Sequence, residues 1–213
     1  MKIGQNRGPV TPKVSQFCVG TWWDPDPRSA QPVTRRPPAP TAMPDLPEPW
    51  LRGPVDGVAP VFQPVAHALQ HAAEDLRAAL AAFPNSGLWA RPAGVASVGF
   101  HLRHIAGVLD RMATYARAEA LSNRQFAALA AESEPGSESV SGLVEAVELA
   151  AERFVDSLRG TPAETAFDAR RVGRQGLPST VLGLLVHAAE HTQRHVGQLV
   201  VTARVVAAMP EAD

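Results

Sequence analysis

The chain has 213 residues and 20 basic against 21 acidic side chains, a formal charge of −1 at pH 7. That length allows one domain or a domain with a tail, and the balanced charge leaves no electrostatic footprint of a nucleic-acid binder. The single cysteine, Cys18, excludes an intrachain disulfide framework and cysteine-rich zinc sites. No apolar run reaches the roughly 18–20 residues that cross a bilayer, and the start MKIGQNRGPVTPK lacks the apolar core of a signal peptide. The expectation is a soluble cytoplasmic protein with neither nucleic acid nor membrane as partner.

Thirteen of the twenty prolines fall before residue 61, in stretches such as TRRPPAPTAMPDLPEP. Proline removes a backbone donor and blocks helix and central strand, so residues 1–45 read as a Pro-rich disordered extension. Trp22 and Trp23 are too little apolar surface to offset the ordering of that length. Met43 stands just ahead of the globular pattern and is a candidate for the true start, with the domain over 46–213.

After Pro60, alanine and leucine recur at helical spacing. Val65, Leu69, Ala72, Leu76, Leu80 and Phe83 form one stripe and predict a helix over 62–83, ended by Pro84, Asn85 and Gly87. Ser97 is a good N-cap for a second helix reaching Leu121, with Val98, Ile105, Leu109, Met112 and Ala116 turned inward. EPGSES breaks the chain. A third helix covers 139–159 and stops at Gly160 and Pro162. Gly173, Gly176 and Pro178 make 162–178 a long connection, after which Ser179 caps a fourth helix to Ala207. Strand signals are nearly absent. The fold class is therefore all-α, a four-helix bundle with helices packed about 20° from parallel or antiparallel.

The sharpest chemical signal is histidine. His187, His191 and His195 follow one another at a strict spacing of four in LLVHAAEHTQRHVGQLVV, and His101 and His104 lie in SVGFHLRHIAGVLDR on the second helix. Positions four apart share a helix face, and imidazole is the commonest protein metal ligand. With His191 at 0° on the wheel, His187 falls near −40°, His195 near +40°, and Leu184 and Ala188 between about 20° and 60°. The stripe thus borders the bundle, with His191 and His195 deeper than His187. Leu182 and Val200, near 180°, form a second apolar face that fits a buried helix or a homodimer contact. His67 and His71 are also four apart, but they lie opposite Leu69 beside Glu74 and read as solvated. Clustered imidazoles on an inner edge need partners for their nitrogens, and a metal supplies one.

Two other motifs compete. His187, Glu190 and His191 spell H-x-x-E-H, the inverted zinc-protease signature with glutamate as general base. Its third ligand is missing: beyond His191 the only side-chain carboxylates are Glu211 and Asp213, both past Pro210. A di-iron bundle needs Glu three before each histidine. Leu184, Ala188, Thr192 and His101 occupy those places, so that reading fails.

An early histidine on helix two and H-x-x-x-H on helix four make residues 48–207 resemble the DinB/YfiT-like superfamily of metal-binding four-helix proteins. The second-helix pattern H-[LIV]-A-[DG] is matched by His104-Ile105-Ala106-Gly107, and the late pattern by His191-Thr192-Gln193-Arg194-His195-Val196-Gly197-Gln198. The resemblance implies His104, His191 and His195 as ligands of a divalent metal, zinc first, with nickel, iron or manganese as alternatives. His101 and Gln198 would be additional pocket residues. Periodicity alone favours His101 over His104, because His101 lies closer to the apolar centre of its helix. The family includes thiol-dependent S-transferases and a thiol-dependent isomerase. The expected activity is thus a metal-dependent transfer between a low-molecular-weight thiol and a small-molecule electrophile, since the bundle itself has no cysteine. Arg103 and Arg194 flank ligands and could hold an anionic substrate or simply be solvated. The rival class is a non-catalytic metal-binding module serving assembly or sensing.

Overall fold

Alanine- and leucine-rich segments with a polar face form helices because each can bury one apolar stripe on its neighbours. In the computed structural model, which describes residues 46–209, four such helices pack together: α1 (Gln63–Leu80), α2 (Val98–Ala116), α4 (Val140–Arg159) and α5 (Val181–Ala207). A short α3 (Asn123–Ala130) lies between α2 and α4. Helix α5 packs on α1 and α2, and α4 packs on the same two from the other side, so α1 and α2 stand at opposite corners. The core between them holds Leu69, Leu76, Leu102, Ile105, Leu109, Phe154, Leu158, Leu185 and Leu199, with Phe62 closing one end. Leu182 and Val200 pack against this core, while Val186, Val201 and Val205 remain exposed. The extension over 1–45, with Cys18, Trp22, Trp23 and Met43, lies outside the described residues, as does 210–213.

The predicted helices are present, with their ends adjusted. Ser97 caps α2 by accepting from Phe100 N, and Ser139 caps α4 by accepting from Gly142 N. Helix α2 stops at Ala116 instead of Leu121 because Ala118 takes a left-handed conformation (φ 61°). Its N–H bonds Tyr115 O and that of Glu119 bonds Thr114 O, the Schellman ending that usually carries glycine. The break then contains α3, started by a capping box. Ser122 Oγ accepts from Gln125 N, and the Gln125 side chain accepts from Ser122 N.

The connection 162–178 is also more ordered than expected. Ala169–Val172 (β1) and Leu177–Thr180 (β2) pair antiparallel, Ala169 opposite Thr180 and Val172 opposite Leu177, around a turn with Gly173 and Gly176 at positive φ. Four-residue strands are too short for an alternating pattern to declare itself. Ser179 pairs across to Arg170, and Thr180 instead caps α5 through Gly183 N. Arg170 Nε donates to Ala116 O, tying the hairpin to the end of α2.

Candidate metal centre

Helices α2 and α5 meet antiparallel, His101 beside His195 and His104 beside His191. The wheel brings the inner edges of both helices to this seam, so four of the five histidines converge. His104 Nε2 faces His191 Nε2 at 2.8 Å, and His101 Nδ1 faces His195 Nδ1 at 2.9 Å. The ring of His195 lies 4.5 Å, centre to centre, from those of both His104 and His191. One ligand atom from each of His104, His191 and His195 lies within 4.8 Å of the others, a set that could hold a metal ion. Phe100 stacks on His104 at 5.2 Å with the planes 14° apart and forms an apolar wall beside it.

The protonation of this cluster follows from its partners. Glu132, buried in the segment after α3, takes His104 Nδ1 at 2.6 Å on Oε2 and Arg111 Nη1 at 2.7 Å on Oε1. Glu132 Oε2 thus lies where it can accept a proton from His104 Nδ1, which would leave the Nε2 lone pair toward His191. Two facing ring nitrogens at 2.8 Å must share one proton or one cation. Burial, with His104 nearby, pushes His101 down to about 4. Burial, then the neighbouring His104, His191 and His101, pushes His195 down to about 4, and burial lowers His191 as well. These rings are neutral at pH 7, the form that binds metal. His191 Nδ1 is buried with no hydrogen-bond partner among the described residues, so the ring is held by packing and by its Nε2 contact with His104. The donor set fits a divalent cation with nitrogen preference.

A family model for the DinB superfamily matches residues 68–199, from early α1 to late α5, and takes in all five histidines of α2 and α5. The chain belongs to the DinB superfamily. A comparison with curated proteins finds no match. Within this DinB protein the remaining predicted residues fall as follows. His101 is the most buried of the group at 3% exposed, as periodicity indicated, but its contact is with His195. Gln198 is exposed one turn beyond His195. His187 and Glu190 are exposed and form a second possible ligand group with His191, yet Glu190 pairs with Arg194. His67 and His71 stand apart and are half-buried rather than fully solvated, His67 Nε2 lying 3.0 Å from Gly53 O.

Arg103 is neither solvated nor free for a substrate. Its guanidinium lies over the Trp89 ring, donates to Ala131 O and Glu134 O, and grips both carboxylate oxygens of Glu138. It thereby anchors the segment that carries Glu132. Glu132 and Arg111 adjoin the histidine cluster in a way that the sequence pattern does not reveal. Arg111 only interrupts an apolar face, and Glu132 sits in AAESEPGSES, where nothing periodic distinguishes it from Glu134 or Glu138. Gly107 belongs to the same group: a Cβ there would meet Arg111 Nη1 and Glu132 Oε1, each at 2.6 Å.

Proposed function

We propose that this DinB protein binds one divalent cation through His104, His191 and His195 and uses it to transfer a small thiol to a small-molecule electrophile. The observation that carries the reading is the convergence of three imidazoles, with His104 held as a lone-pair donor toward His191. When bound, the cation supplies a Lewis acid that lowers the pKa of a thiol or water beside it. The chain contributes the rest. Neutral His191 and His195 offer lone pairs at pH 7, Glu132 keeps the His104 proton off Nε2, and Phe100 shields one side of that ring from water. His101, also neutral, can hold a proton at the nitrogen facing His195 Nδ1. Residues 46–209 contain no cysteine, and in this reading the thiol nucleophile arrives as a co-substrate.

A non-catalytic metal-binding module is the second reading, favoured by the closeness of the cluster, in which His191 and His195 are each already within hydrogen-bond distance of a ring nitrogen of α2. Metal analysis of the purified protein, followed by titration of chelator-treated protein with zinc, cobalt, nickel, iron and manganese, tests the common premise. His191→Ala should weaken binding more than roughly a hundredfold, beyond what loss of an outer partner typically costs, whereas His187→Ala should stay within about twofold. Loss of binding in His187→Ala with retention in His195→Ala would move the site to the H-x-x-E-H pair. A screen of low-molecular-weight thiols against a chromogenic electrophile then separates the readings. Metal-dependent turnover supports the transferase, and none across the screen supports the module.

A further inference from the structure

The strongest feature outside the ligand set is the buried chain Arg111–Glu132–His104. Glu132 and Arg111 are 4% and 6% exposed, and a buried carboxylate is costly unless both oxygens find donors. Each oxygen has one: Arg111 Nη1 on Oε1 and His104 Nδ1 on Oε2. A purely structural ion pair would need nothing from His104. Fastening the segment to α2 is already done by Arg103, which binds two of its carbonyls and Glu138. The close approach depends on glycine at 107 and at 136, where a Cβ would lie 2.0 Å from Arg103 Nη2. Helix α2 thus holds the segment through Arg103, and the segment returns one carboxylate oxygen to the histidine next in sequence.

We propose that Glu132 is a positioning residue: oriented by Arg111, it fixes the His104 proton on Nδ1 and keeps the Nε2 lone pair aimed at His191. The assignment rests on the three-histidine metal site proposed above. It has a specific consequence in Glu132→Gln. Arg111 can only donate, so the amide oxygen must turn to Arg111 and the amide NH2 to His104 Nδ1. That reverses the tautomer, placing the proton on Nε2, where the cation would bind.

Imidazole 15N spectra of the metal-free protein at pH 8, with His104 assigned by comparison with His104→Asn, read the tautomer directly. The wild-type protein should show Nδ1–H at His104 and Glu132→Gln should show Nε2–H. Zinc affinity of Glu132→Gln should fall roughly 10–100-fold. An unchanged tautomer, or affinity within twofold of wild type, with only a lower melting temperature makes Glu132 a structural ion-pair partner and overturns the proposal. Should Glu132→Gln fail to fold, the wild-type spectrum decides alone, since Nε2–H at His104 is incompatible with the proposal. Failure of wild-type protein to bind zinc or any other divalent cation would overturn the metal site instead, and leave the tautomer measurement to judge Glu132.

Discussion

His101 and His195 show how a residue's surroundings set its chemistry. The first is buried and the second half-buried, and burial chiefly brings both down to about 4, against roughly 6.5 in an unfolded chain. The fold therefore favours the neutral rings, and as pH falls the unfolded chain takes up protons before the folded one does. Their contribution to stability is complete above about pH 6.5 and is lost between there and about pH 4. The melting temperature of metal-free protein should fall steadily across that window. A melting temperature that holds or rises down to pH 5 would contradict the burial of these rings in neutral form. Bound metal should leave over the same range, because protons compete for the same nitrogens. The three histidines that converge were legible in the sequence through spacing and the H-[LIV]-A-[DG] pattern. The contact of Glu132 with His104 was not, because a loop has no period by which to find a buried residue.

At the level of elements, the differences arise where local rules are weak or are broken. Alanine at 118 favours helix, so no sequence rule stops α2 there. The chain turns left-handed at that position regardless, since Glu119 N and Ala118 N close a Schellman ending. An L-residue in that region costs roughly 1–2 kcal/mol, part of which glycine would return as extra freedom of the unfolded chain. Ala118→Gly should therefore stabilise the protein by about 0.5–1 kcal/mol, seen as a higher urea midpoint at unchanged slope. A lower midpoint would show that the alanine methyl makes a contact worth more than the strain. The capping box of α3 was visible as Ser122-x-x-Gln125, but the helix buries none of its residues fully, so no apolar stripe drew attention to it. The hairpin is similar: two glycines marked its turn, while its strands became recognisable only through their pairing.

For the molecule as a whole, the core residues among those described run from Val58 to Ala203. A chain beginning at Met43 should thus keep the cooperative melting transition and the zinc affinity of the full-length protein. Loss of either would show that residues before Met43 contribute to the fold or the site. No helix among the described residues is long and apolar enough to cross a membrane. What the sequence by itself determined is the part carried by repetition. Leucines and alanines at helical spacing define four amphipathic helices, and a DinB-like histidine pattern places candidate ligands on two of them. Helical periodicity is a property of neighbours along the chain, so it survives without tertiary information. Only the tertiary structure decided which of His101 and His104 faces His191, and it gave Arg103 to a loop and Glu132 to an imidazole. Those contacts join residues 28 or more positions apart, and their geometry exists only after α2, α5 and the segment behind α3 have packed.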